Sequence, residues 1–172
     1  MALHGERGVL RAKPTEIAAR ADVALTTYYK HFPTIGNLVQ ACTSRGRELF
    51  PPPDPATITA LPRDPAMRVA AMVRTLFEYY ELREPWLYSG RTEERFIPEL
   101  QTFMGRLRAL RDASVRTALE PAEPAREAIG VVTALVDFWA WRTLRREVGL
   151  TQEEVISTVT ETVKPIAGIK DD

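Results

Sequence analysis

The chain of 172 residues is poor in reactive side chains: it has one cysteine, Cys42, and two histidines, His4 and His31. A single cysteine excludes an internal disulfide framework and suits a reducing compartment. One thiol and two distant imidazoles cannot assemble a zinc site, so no metal is expected. No apolar run approaches the ~20 residues that a membrane helix needs. The start, MALHGERG, lacks the apolar stretch of a signal peptide, so a cytoplasmic protein with no membrane partner is expected. Charge of one sign is also missing, since 23 Lys and Arg face 23 Asp and Glu. There is no strand-type alternation, no internal repeat, no glycine-rich phosphate loop and no Walker loop. Glu93-Glu94 and Glu153-Glu154 are neighbours in sequence and do not share a helix face. Ser44, Ser89, Ser114 and Ser157 lack the partner pattern of a nucleophile. No catalytic residue and no cofactor are expected, and the chain does not read as an enzyme. Cys42 reads as a small buried residue; thiol sensing would require a lowered pKa and access.

What the chain has is helical periodicity, and a proline cluster that interrupts it. Six prolines fall between residues 51 and 65 (Pro51, Pro52, Pro53, Pro55, Pro62 and Pro65). Proline lacks the donor that a helix interior needs, so this stretch reads as a loop and a domain boundary near residue 50. Helices are expected over 34–50, 65–83, 97–119 and 125–148, with a break at Pro85-Trp86-Leu87-Tyr88-Ser89-Gly90 and a short helical turn at Glu94 to Phe96. Over 125–148 the apolar positions cover more than one face, which demands burial on two sides. Thr151 with Glu154 makes a capping box that opens the last helix. Arg145-Arg146 reads as a solvated helix end, where cations suit the dipole. Charge is unevenly spread. Residues 1–50 carry seven Lys and Arg against four acids, a surplus of three that residues 51–172 reverse. A basic head on an acidic body is the asymmetry of a nucleic-acid-binding head.

The most informative stretch is TEIAARADVALTTYYKHFPTIGNL, from Thr15 to Leu38. Ile17, Ala18 and Ala21 share one face of a short helix, and the alanines allow a second helix to cross closely. Asp22 and Val23 form a tight turn, with the Val23 side chain available to plug the gap between the helices. On the second helix Tyr28 and Phe32 are four apart and face inward. Leu25, Thr26, Thr27, Tyr29, Lys30 and His31 are left for the outer surface. Hydroxyls, a lysine and a histidine suit phosphate oxygens and base edges. An ordinary helical hairpin with a polar outer face is the alternative.

The run Ile17-Ala18, Ala21-Asp22-Val23-Ala24, Thr27-Tyr28-Tyr29-Lys30-His31-Phe32 and Leu38, with Glu6-Arg7-Gly8 upstream, resembles the DNA-binding signature of the tetracycline-repressor family of bacterial regulators. The resemblance implies an all-α fold: a helix-turn-helix DNA-binding domain with a linking helix over 1–50, then a helical effector-binding and dimerisation domain over 51–172. It implies that Tyr29 and His31 touch the DNA backbone, that Leu25, Thr26, Thr27 and Lys30 face the major groove, and that Thr15 makes a further backbone or base contact. Its expected partners are a palindromic duplex operator, a second copy of the chain, and a small apolar or aromatic effector. The last two helices would then pair with their copies, with Val131, Leu135, Val155 and Val159 at the dimer interface. Trp86, Phe103, Leu107 and Trp139 are the candidate effector pocket, although such aromatics also fill cores. Ala24, Asp22 and Ile35 depart from the pattern at a helix cap, a turn glycine and a phosphate-contacting lysine. Asp22 tolerates a left-handed turn and could replace the missing cap. Pro14 suits a first helical position. Only Met1 to Gly5 precede Glu6-Arg7-Gly8, where the family carries a longer first helix. A start displaced downstream, or a domain built without that helix, would leave Ile17, Tyr28 and Phe32 partly bare. A ligand-binding dimer that does not contact DNA is therefore the alternative function.

Overall fold

The computed structural model describes residues 2–170, and their side chains from residue 5 onward, so the His4 imidazole lies outside it. Among the described residues every regular element is helical. Short helices α1 (Ala2–Arg7), α2 (Pro14–Arg20) and α3 (Leu25–His31) precede α4 (Ile35–Leu49) and α5 (Pro55–Thr59). The long α6 (Pro65–Glu93) and α7 (Pro98–Leu119) follow, separated by a 3-10 turn at Glu94–Phe96. The chain ends in α8 (Arg126–Leu135), α9 (Phe138–Arg142) running into a π-helical turn at Thr143–Glu147, and α10 (Gln152–Ile166). Contacts divide the chain into two units. One takes the residues up to Pro51 together with Arg83–Leu107; the other takes Pro52–Leu82 with the residues from Arg108 onward.

The second unit is built on aliphatic ridges with an aromatic centre. Val69, Met72, Val73, Leu76 and Phe77 of α6, Val115 and Leu119 of α7, Val132 of α8, and Val155, Val159 and Val163 of α10 are all buried. Tyr80, Phe138 and Trp141 pack with ring centroids 5.7–5.9 Å apart. Each polar atom of the cluster finds a partner: the Tyr80 hydroxyl donates to the Val136 carbonyl, and Trp141 Nε1–H donates to Gln152 Oε1 at 3.1 Å. The capping box at α10 forms as expected. Glu154 N–H donates to Thr151 Oγ1, and Thr151 N–H donates to the Glu154 carboxylate at 2.7 Å.

Four sequence expectations need correction. α6 runs through Pro85 instead of breaking at 85–90. Leu87, Ser89 and Gly90 are buried on that helix, and Gly90 lies so close to Met104 that a Cβ there would meet its methyl at 2.1 Å. Such packing offsets the ~3 kcal/mol that an interior proline costs. The expected helix over 125–148 is cut at Asp137, whose side chain accepts the Trp139 N–H at 3.0 Å and is gripped by Arg111. A short carboxylate competes with the helical ladder and starts a new helix. The proline loop contains α5, because Asp54 caps it, accepting the Ala56 N–H at 2.9 Å, and Pro55 holds its first position. Finally, Arg145 is not a solvated helix end: its guanidinium makes two 2.8 Å hydrogen bonds to the Glu81 carboxylate.

That pair carries a pH prediction. Hydrogen bonding to Arg145 holds the Glu81 carboxyl below its ordinary value, with Arg146 adding to the effect. A carboxylate whose pKa is depressed on folding stabilises the protein above the ordinary carboxylate range and ceases to do so as pH falls below ~4.3. Arg145→Met should lower stability by about 1 kcal/mol near neutrality, the pair being partly solvated. The deficit should shrink toward about pH 3, as read from urea midpoints. A deficit constant with pH would refute the link.

Arg68, which no sequence pattern singled out, ties the proline loop to α6. It is buried, donates from Nε to the Pro62 carbonyl at 2.8 Å and from Nη2 to those of Leu61 and Thr59, and reaches Glu120 at 3.4 Å. Arg68→Met should cost about 2–3 kcal/mol, since a buried side chain that bonds three partly buried carbonyls is lost. Urea unfolding checks this, and a loss below about 0.5 kcal/mol would contradict it.

Candidate nucleic-acid interface

The candidate interface belongs to the first unit and starts with how α2 stops. Asp22 has φ +53°, the left-handed region. The Val23 N–H donates to the Ala18 carbonyl at 3.0 Å and the Asp22 N–H to the Ala19 carbonyl at 3.2 Å. These two bonds form a Schellman motif, which satisfies the last carbonyls of a helix and reverses the chain. Glycine is the usual residue at such a position, and aspartate is among the few others that tolerate it. At the other end Pro14 holds the first helical position, and Glu16 accepts the Lys13 N–H.

Chain reversal brings α3 against α2 through a small apolar cluster. Ala18, Tyr28 and Leu38 are buried, and Ile17, Phe32 and Cys42 are half-buried against them. Ala18, only 3% exposed, keeps the two helices close. The Tyr28 ring sits 5.6 Å from Phe32, on the inward face that their spacing predicts. Burial raises the Tyr28 phenol above its usual pKa, and neighbouring Tyr29 adds to that. Burial likewise pushes the Cys42 thiol up, the opposite of what a thiol sensor requires. Two expectations fail here. Val23 is exposed and plugs no gap, because the Schellman turn carries it past the crossing. Asp22 does not replace the missing cap; Ala24 is the N-cap of α3, and no side chain of that residue caps it.

Tyr28 is thus the buried side chain of α3. Leu25, Thr26, Thr27, Tyr29, Lys30 and His31 are all exposed, as is Thr15 in the first turn of α2. Tyr29 is 49% exposed and Tyr28 7%, so adjacent tyrosines face opposite ways. Cations of the head divide similarly. Arg7, Arg20 and Arg45 are in ion pairs with Glu16, Glu6 and Glu48. Arg11, Lys13, Lys30 and Arg47 are exposed, with no carboxylate partner among the described residues. Ile35, where the resemblance has a lysine, is an exposed apolar side chain.

The remainder of the unit supports this pair of helices. Gly8, at φ +84°, turns the chain after α1, and the Glu93 carboxylate accepts the Val9 N–H at 2.7 Å and the Leu10 N–H at 3.3 Å. Val9 and Val39 pack with Ile97, Leu100 and Met104, and Phe103 and Leu107 lie against them. The sequence offered no sign that residues 83–107 would join the head, because apolar periodicity reports which face is buried and not against what. Thr34 caps α4, accepting the Asn37 N–H at 3.2 Å.

The residues assigned to an effector pocket have separate surroundings. Phe103 and Leu107 pack on the Val9–Met104 cluster, and the Arg83 guanidinium stacks on Trp86 with its centre 5.1 Å from the ring centroid. Trp139 belongs to the second unit, partly exposed beside Phe138. A cleft of about 320 Å³ in the first unit is lined by Gln40, Thr43, Ser44, Arg47, Glu99, Thr102, Phe103 and Arg106, so it shares only Phe103 with that set. Among the residues assigned to a dimer interface, Val131 is exposed and Leu135 half-buried. Val155 and Val159 are already buried in the chain's own core. That inward face of α10 leaves little surface of these two residues to offer a partner.

No family model, curated protein or solved structure matches the chain. None of the described helices is long and apolar enough to cross a membrane. The class that the described residues define is an all-helical protein.

Proposed function

We propose that the chain is a DNA-binding transcriptional regulator of the helix-turn-helix kind, resembling the tetracycline-repressor family, and acts in the cytoplasm as a homodimeric repressor released by a small effector. The observation that carries this reading is the division of α3. Tyr28 is buried against α2, while Thr26, Thr27, Tyr29, Lys30 and His31 form an exposed polar and basic surface around it, with Leu25 an exposed apolar side chain beside them. Two short helices joined by a tight reversal, with the second offering donors outward, suit major-groove reading. Thr26, Thr27 and Lys30 suit base edges, and Tyr29, His31 and Thr15 suit phosphates. A dimer would set two copies of α3 in successive grooves, ~34 Å apart. Effector binding would disfavour that spacing through a coupling of about 1–3 kcal/mol.

Selection from a pool of random duplexes with the purified chain, read with a salt titration, tests this reading. The expected result is enrichment of a palindrome with affinity falling steeply in salt. Lys30→Ala and Thr27→Ala should change the preferred sequence, each costing about 1–3 kcal/mol at one base position. A Lys30→Ala protein that selects the unaltered palindrome would remove that residue from base reading. Failure to enrich any duplex, from a folded dimer, would favour the ligand-binding protein without DNA contact. Exposed Ile35 and the uncapped start of α3 weaken the DNA reading in that direction.

A further inference from the structure

We propose that the cleft between α4 and the first half of α7 binds a small organic anion, with its carboxylate or phosphate held by Arg47 and Arg106. The cleft, about 320 Å³, is of the size that small-molecule sites begin at. It lies wholly within the first unit, and its walls are one face of each helix. Gln40, Thr43, Ser44 and Arg47 follow one another at helical spacing on α4, and Glu99, Thr102, Phe103 and Arg106 do so on α7. Glu99 lies against Gly36 in the first turn of α4, where a Cβ would stand 2.2 Å from its Oε1. From Gly36 to Arg47 is eleven residues, about 16 Å along the helix, and from Glu99 to Arg106 seven residues, about 10 Å. Both arginines therefore stand farther along their helices than the point where the carboxylate meets Gly36.

Neither arginine has an ion-pair partner among the described residues, although a carboxylate lines the same walls. Two unpaired guanidiniums on one concavity repel each other and present fork-shaped donors that match a carboxylate or phosphate. Gln40 adds a neutral donor, while the Thr43 and Thr102 hydroxyls donate to the Gln40 and Pro98 carbonyls, and Phe103 supplies one apolar wall for the organic part. Two cations against one acid set the preference for an anion over a cation. Nothing in this site requires DNA, so it stands or falls separately from the regulator reading.

The test is isothermal titration of the purified chain, without DNA and at constant ionic strength, with benzoate and with inorganic phosphate. Saturable binding of at least one, at one site per chain, is expected. Tighter benzoate would identify a carboxylate ligand lying on Phe103; tighter phosphate would identify a phosphoryl ligand. Arg47→Gln or Arg106→Gln should weaken binding at least tenfold, and the double variant should abolish it. Both side chains are exposed, so the fold should survive, as circular dichroism would verify. No saturable binding of either anion at millimolar concentration, or undiminished binding by the folded double variant, would overturn the proposal.

Discussion

Trp141→Ala is expected to lower the stability of the second unit by about 3–5 kcal/mol, the cost of emptying a fully buried aromatic site. The ring is 0% exposed and stands at the centre of the Tyr80–Phe138–Trp141 cluster. Its removal opens a cavity between neighbours that are aromatic and therefore slow to close it. The hydrogen bond compounds the loss. Gln152 Oε1 would lose its donor, and Gln152 Nε2 is already buried with no hydrogen-bond partner among the described residues. Trp141→Phe separates the two terms, since it keeps most of the packing and removes only the donor; about 1–3 kcal/mol is expected there. Domains are stable by about 5–15 kcal/mol, so the alanine variant should be visibly unfolded in mild urea. A loss below about 1 kcal/mol would show that Trp141 does not lie in the core.

Tyr28 and Tyr29 should respond oppositely to the same truncation. Tyr28→Ala is expected to cost about 3 kcal/mol of stability, because its ring fills the space between α2, α3 and α4 against Ala18 and Leu38. Tyr29→Ala should stay within about 0.5 kcal/mol, as exposed substitutions do. Under the DNA reading the ranking inverts for a folded protein. Tyr29→Ala, and Tyr29→Phe to a lesser degree, should weaken binding to all duplexes alike, since a phosphate contact carries no base preference. Urea unfolding and duplex titration on the same samples measure both effects. Equal destabilisation by the two alanines would remove the two-faced picture of α3, and a Tyr29→Ala protein with full duplex affinity would remove Tyr29 from the interface.

Each correction has a common origin. Pro85 carries a local rule, that proline breaks helices, and packing around Leu87 and Gly90 overrules it. Asp137 carries a local signal too, a cap residue inside an apolar run, but its force depends on Arg111, which lies 26 residues earlier. Arg145 sits at a helix end in sequence and beside Glu81 in space, 64 residues away. Val155 and Val159 show the limit of periodicity. Their spacing marks a buried face, and the chain's own core takes it before any partner could.

The sequence by itself determined the helical class, the ends of α2, α4 and α7, the start of α10, and the inward and outward faces of α3. These follow from caps, prolines and a 3.6-residue period, all of which act within a few residues of one another. Only the tertiary structure decided that residues 83–107 join the head, that Arg68 and Arg145 are structural, and that α4 and α7 enclose a cleft with two arginines that lack an ion-pair partner among the described residues. Those are contacts between residues dozens of positions apart, and local spacing carries no information about which distant surface a buried face or a charged group will meet.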